Sequence, residues 1–329
     1  MQTRTFGRTA LELSLLTFGC GAVGGLMTKG ASSDQDRAVA WARDNGINHF
    51  DTAPSYGNTA SETNLGRALG PNRDNIFIST KVGVTEEYQS NLAGAIRTSL
   101  EASLMRLAQD HVDIFQLHNT LEDPSDQRGN LSADKVLEEI VPTFEKLRDE
   151  GKARYIGFTA KGSTEALHRL MRSNKFDSAQ IFYNLVVPSA GRTVPNGYPG
   201  QDYEKLLTTA DQRGVGSIAV RVLAGGALSG SEVRHPLGNQ NVTPIGSGRT
   251  YAEDIARALK FQPLIDAGHA KNLPELAIRY GVSNSNLSTL EIGIATIEEL
   301  QNATVAVNKG PLSEEALAQI FKIQDGFAS

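Results

Sequence analysis

Four residues in the N-terminal part of the chain carry chemistry at positions that suggest a common purpose. Asp51 ends the run Ile47-Asn48-His49-Phe50, and a Pro-containing turn then delivers Tyr56 and Gly57. Lys81 follows Ile76-Phe77-Ile78-Ser79-Thr80, and His118 follows Val112-Asp113-Ile114-Phe115-Gln116-Leu117. A short apolar run that stops at an ionisable side chain and enters a loop is how a barrel enzyme presents chemistry at one face. A free phenol, with a pKa of ~10, is a weak acid near neutrality. A lysine cation beside it favours the phenolate and lowers that value. An aspartate paired to the lysine holds the cation in place, and a histidine can keep a carbonyl oxygen in line with the phenol. The set aims a proton donor at a carbonyl about to become an alcohol. It lacks an electron source. The histidines are scattered and the lone Cys20 stands far from any ligand spacing, so no metal site is expected. A nicotinamide supplying hydride fits the gap.

The elements needed to bring these residues together are legible. Segments 3–6 and 11–13 flank Gly7-Arg8-Thr9 as a short hairpin. Strands are expected at 15–19, 47–51, 76–80, 112–117, 155–159, 179–183, 215–222 and 288–294. Helices are expected at 37–45 behind a Ser33-Asp34 cap, 64–69 opened by Ser61-Glu62, and 92–107, where Ile96, Leu100, Ser103, Leu104 and Leu107 fall at helical spacing. Others are expected at 132–147, 164–172, 203–212, 251–266, 273–280 and 297–307, with a last one at 313–323. Strand and helix alternate about eight times with no break in composition, which predicts one α/β domain over 1–329. Its parallel strands close into a (β/α)8 TIM barrel, preceded by the hairpin and followed by the extra helix. Gly19-Cys20-Gly21-Ala22-Val23-Gly24 matches G-x-G-x-x-G, but no well-formed helix starts there and no acid stands in the expected place. The polar loops 119–130, 188–200 and 234–248 read as substrate loops, and the last as a cofactor strap or substrate lid.

The composition narrows the partners. The 329 residues are 40% hydrophobic and 21% charged, with a formal charge of −5. The acidic balance argues against a nucleic acid or an anionic membrane surface. No apolar run approaches the ~20 residues that span a bilayer. A single cysteine, and an N-terminus without an apolar signal segment, point to the cytoplasm. Oligomeric state has no signature.

Several motifs in order resemble the aldo-keto reductases: Ile47 to Gly57 with Ser61-Glu62 and Leu65-Gly66, Ser79-Thr80-Lys81, Val112-Asp113 with Leu117-His118, Tyr155-Ile156-Gly157, and Gln180 with Tyr183-Asn184. Within that family the chain is most similar to the aldose dehydrogenase branch. The resemblance spans nearly the whole chain. It implies a barrel that binds NAD or NADP without a Rossmann fold and acts on a small carbonyl or sugar. It also implies catalysis by Asp51, Tyr56, Lys81 and His118, with Tyr56 as general acid. The cofactor contacts it implies are Gly21, Asp51, Thr159, Gln180, Arg221, Leu223, Gly225, Gly293, Ala295, Thr296, Glu299 and Asn302.

The chain departs from the family pattern in three places. Thr159-Ala160 replaces Ser-Asn, leaving Gln180 the surer carboxamide partner. Val220-Arg221-Val222-Leu223 lacks the stacking aromatic and adds a cation for pyrophosphate or substrate. The segment 292–303 has no Lys or Arg for a 2′-phosphate but carries Glu298 and Glu299, which favours NAD(H).

Each residue alone has an ordinary explanation. An Asp at a strand end caps turns, a Lys is solvated, a Tyr packs, and His49 and Trp41 read as core. Two other classes of function stay open. In one, Lys81 is the nucleophile of a Schiff-base aldolase or isomerase. In the other, the barrel keeps its cofactor as a non-catalytic sensor or subunit.

Overall fold

A computed structural model describes residues 1–123 and 129–328. Eight parallel strands close on themselves: β3 (Leu16–Gly19), β4 (His49–Asp51), β5 (Phe77–Val82), β6 (Val112–Leu117), β7 (Ala153–Thr159), β8 (Ser178–Phe182), β9 (Gly216–Val220) and β10 (Thr289–Gly293), with β10 pairing both β3 and β9. Strands buried on both sides read as near-continuous apolar runs, and β6 is buried along its whole length. The helices pack outside, and their apolar stripes form one core with the outer strand faces. The helix Leu92–Leu107 buries Ile96, Leu100, Ser103, Leu104 and Leu107.

The hairpin β1 (Thr3–Thr5) and β2 (Glu12–Ser14) plugs the N-terminal end of the barrel. Phe6, Leu11 and Leu13 form a second apolar cluster with Ile114 and Ile218. Gly7, at φ +52°, lies so close to β9 that a Cβ there would sit 2.4 Å from the Gly216 nitrogen. The plug is tied down by Arg8, which donates to Asp177 at 3.0 Å and to the Phe176 carbonyl at 2.7 Å.

The element boundaries differ from expectation in instructive places. The helix Ser32–Asp44 begins before the expected Ser33-Asp34 cap and has no side-chain cap. Ser61 and Glu62 lie inside the helix Ala60–Leu69, because both are needed as buried anchors. Ser61 donates to the Cys20 carbonyl at 2.9 Å, and Glu62 accepts from Thr80 at 2.6 Å and from Arg106 at 2.7 Å. The expected helix 203–212 starts only at Leu206, since Glu204 and Lys205 adopt positive φ. The expected helix 251–266 is two, Tyr251–Leu259 and Gln262–Asp266. The last helix, Glu314–Asp325, is capped by Ser313, which accepts from the Ala316 amide. Part of the expected loop 119–130 lies outside the described residues.

Candidate active site

Strand register delivers the site. Gly19 pairs with Asp51, Asp51 with Ser79, Lys81 with Gln116, and Thr159 with Gln180, so these residues meet at the C-terminal end of the barrel. Lys81 and Asp51 are fully buried and form an ion pair, and the Lys81 ammonium also donates to the Thr52 carbonyl at 2.9 Å. Asp51 accepts from Ser79 at 2.5 Å and from Gln116 at 3.4 Å. Tyr56, on the turn after β4, places its ring 4.9 Å from the Lys81 ammonium and 5.9 Å from the His118 ring, which meets it edge-on.

The electrostatics are set by burial. Burial works against the Lys81 cation, but Asp51, Tyr56 and Glu291 outweigh it and push its pKa above the ordinary value. Burial pushes the Tyr56 phenol up, and Asp51 and Glu291 add to the rise. Lys81 pulls it down as expected from sequence but does not outweigh burial, so the phenol stays protonated near neutral pH. Burial, then Lys81, lowers the His118 pKa to about 4, so its imidazole is neutral near pH 7. His49, one layer deeper, is likewise lowered to about 4 by burial, and its two ring nitrogens lie 2.8 Å from Thr17 Oγ1 and 3.1 Å from Ser79 Oγ. It is a hydrogen-bonded core residue.

A cavity of about 640 Å³ runs from Tyr56 and His118 across the barrel mouth toward the helix Ile297–Asn308. Of the residues expected to hold a cofactor, Gly21, Thr159, Gln180, Arg221, Leu223, Gly225, Gly293, Ala295, Glu299 and Asn302 line it. Asp51 sits behind the wall with Lys81. Thr296 is off the cavity, and its hydroxyl caps the helix by accepting from the Glu299 amide. Glu299 folds back to accept from the Ala295 amide at 2.7 Å. Thr159 donates to Gln180 at 3.1 Å, and Gln180 donates to Glu291 at 2.9 Å, which orients the Gln180 amide at the cavity wall. The loop after β9 supplies no aromatic ring, as its sequence suggests. Arg221 takes positive φ, and Asn184 supports that turn by donating to the Arg221 carbonyl at 2.8 Å.

Sequence reading missed Glu291, Arg234, Lys271 and Asn272 on the cavity wall. Glu291 had a signal, being an acid between Leu290 and Ile292 on an otherwise apolar strand. Arg234 had none. It donates to the carbonyls of Asn239 at 2.6 Å and Gly225 at 2.6 Å and to the Tyr251 hydroxyl at 2.8 Å. The segment it anchors reaches across to the loop after β3, where the Asn239 amide donates to the Ala22 carbonyl at 3.0 Å. Gly25, at φ +92°, permits that approach, because a Cβ there would sit 1.9 Å from the Leu237 carbonyl oxygen.

An eight-stranded parallel barrel whose strand ends gather Asp, Tyr, Lys and His beside a long cavity defines a class of barrel oxidoreductases for carbonyls and alcohols. The sequence profile of the aldo/keto reductase family matches residues 15–325, and the chain belongs to that family as a nicotinamide-dependent oxidoreductase. It is 27% identical to L-galactose dehydrogenase of Arabidopsis thaliana, over 94% of this chain and 89% of that one. It is 28% identical to L-glyceraldehyde 3-phosphate reductase of Escherichia coli K12, over 99% and 93%. The fold matches the holo form of an aldo-keto reductase from Bacillus halodurans with a TM-score of 0.74 at 23% identity, covering 98% of this chain and 96% of that one.

Proposed function

We propose that this protein moves a hydride between a nicotinamide cofactor and a small hydroxylated carbonyl compound such as an aldose or aldehyde, with Tyr56 as the proton donor and acceptor. The observation that carries the reading is the Lys81 cation, locked by Asp51 and held over the Tyr56 ring, with neutral His118 at the ring's edge. His118 and Tyr56 are arranged to hold one substrate oxygen between them. Lys81 stabilises negative charge on the phenol oxygen when the proton leaves, and Asp51 fixes Lys81. The residues fit a nicotinamide dinucleotide. Thr159 and Gln180 offer hydroxyl and amide to a carboxamide, glycines 21, 225 and 293 leave room along the wall, and Arg221 and Arg234 supply cations for a pyrophosphate. When bound, the nicotinamide supplies or accepts the hydride. The 234–248 segment closes over it as a strap. The relatives' names support a hydroxylated substrate.

We read the cofactor as NAD(H). Glu299 stands at the cavity end, and Lys309, nearby, is occupied by Glu275 at 2.7 Å. Lys271 on the same cavity works the other way, toward a 2′-phosphate, so parallel fluorescence titrations with NADH and NADPH test the preference. Tighter binding of NADPH overturns it. We place the chain, as one functional domain, in the cytoplasm, where a lone thiol such as the buried Cys20 stays reduced. No helix among the described residues is long and apolar enough to cross a membrane.

The Schiff-base alternative is disfavoured because an ion-paired ammonium is not a nucleophile. Loss of NAD(P)H absorbance across a panel of aldoses and aldehydes tests the oxidoreductase reading. Borohydride trapping of substrate on Lys81 without nicotinamide would replace it.

A further inference from the structure

The barrel mouth holds one more carboxyl group than the proposed chemistry uses. Glu291 points into the barrel from β10, and its carboxyl both lines the cavity and accepts from Gln180 at 2.9 Å. Gly19, on the adjacent strand, makes the room, since a Cβ there would lie 3.0 Å from Glu291 Cγ and Oε1. The groups that face it are Cys20 at the end of β3, Asp51 on β4, Tyr56, Lys81 on β5 and Gln180 on β8. Lys81 is the one cation in that set, and it is already ion-paired to Asp51. Glu291 therefore faces Asp51 and two other groups that turn negative on ionisation, and its own charge has no dedicated counter-ion. Its pKa is raised well above the carboxylate range, by burial first and by Asp51 second. Glu291 is half-buried, open only toward the cavity, and an acid so withdrawn from water without a counter-ion stays neutral until a cation arrives. The oxidised nicotinamide ring is a cation and the reduced ring is not.

The geometry points to Glu291 as the residue that discriminates between the redox states of the cofactor: its carboxylate is the counter-ion of the oxidised nicotinamide and favours that form over the reduced one. This rests on the nicotinamide reading above, with Gln180 at the carboxamide. The proton balance is simple. The oxidised ring binds, Glu291 gives up its proton to solvent, and the ion pair forms. When the reduced form binds, Glu291 keeps its proton. Holding the oxidised ring more tightly than the reduced one makes the bound reduced ring the stronger hydride donor, so on the protein the transfer leans toward reduction of a carbonyl, with the Glu291 side chain serving as a positioning and charge-matching group that Tyr56 chemistry does not need.

The experiment compares dissociation constants of NAD+ and NADH, with NADP+ and NADPH in parallel, for the wild type, Glu291→Gln and Tyr56→Phe between pH 6 and 9. A pH indicator in weak buffer reads proton release on mixing. The wild type should bind the oxidised form more tightly as pH rises, with little change for the reduced form, and should release a proton only with the oxidised form. Glu291→Gln should weaken the oxidised form about tenfold, leave the reduced form unchanged and abolish the release. Tyr56→Phe should keep the release, which separates the carboxyl from the phenol. A wild-type affinity ratio that is flat in pH overturns the proposal without needing any variant, and so does a Glu291→Gln protein that binds both forms as the wild type does. If the wild type binds none of the four dinucleotides, the nicotinamide reading itself falls and takes this inference with it.

Discussion

The Lys81 ammonium lies 4.9 Å from the centroid of the Tyr56 ring while ion-paired to Asp51, so one buried cation serves two partners, one at the end of β4 and one on the turn that follows it. Asp51 holds the charge in place, and Tyr56 receives its field. Burial nonetheless keeps the phenol above its ordinary pKa. Lys81 is therefore positioned to stabilise charge that forms during reaction, where a preorganised dipole or cation acts most strongly, and it does not ionise the resting phenol.

Tyr56→Phe removes the proton donor and keeps the ring. Turnover should fall by roughly 10²–10⁴-fold, the range for a positioned acid–base group, with NADH affinity within about twofold of wild type. Steady-state kinetics and fluorescence titration measure both, and undiminished kcat would refute the role given to the phenol.

Lys81→Met leaves Asp51 buried without its cation. Breaking such a pair should cost about 3–5 kcal/mol of stability in urea unfolding. The double variant Asp51→Asn/Lys81→Met should regain part of that loss, because no uncompensated charge remains. A single variant as stable as the wild type would mean that Asp51 finds another partner.

His49 titrates near 4 in the fold, against 6.5 when free, so the folded state resists protonation. Its contribution is fully present above pH 6.5. It is lost as pH falls from there toward 4, because the unfolded chain takes up the proton first. The loss should reach about 3 kcal/mol by pH 4. His118 acts in the same direction. Comparing unfolding free energy at pH 7 and pH 4.5 for the wild type and His49→Gln checks this, and an equal acid loss in both would count against it.

Arg234→Ala unties the strap from Gly225, Asn239 and Tyr251. Cofactor dissociation should accelerate about tenfold, the worth of one or two hydrogen bonds, with little change in melting temperature. Stopped-flow fluorescence gives the rate, and an unaltered off-rate would show that the strap does not gate the cofactor.

Phe6→Ala opens the plug at the far end of the barrel. It should cost about 3–5 kcal/mol through cavity formation yet leave kcat near wild type in the folded fraction, since the plug lies at the opposite end from Tyr56.

Strand and helix alternation, the four chemical residues at or just after their strand ends, and part of the cavity wall could be read from the chain itself. Each follows from local pattern: apolar runs of strand length, helical spacing as in Leu92–Leu107, and a side chain placed where a run stops. Helix starts were harder, because Ser61 and Glu62 have the residue types of a cap but are used as buried anchors to Cys20, Thr80 and Arg106. What only the tertiary structure decided is charge in context. Whether Tyr56 is acidified, whether Glu299 is free or folded back onto Ala295, and whether Glu291 has a counter-ion all depend on distances between strands far apart in sequence and on how completely water is excluded. Coulombic and desolvation energies are functions of that spacing and burial, and no order of residues along a chain contains them.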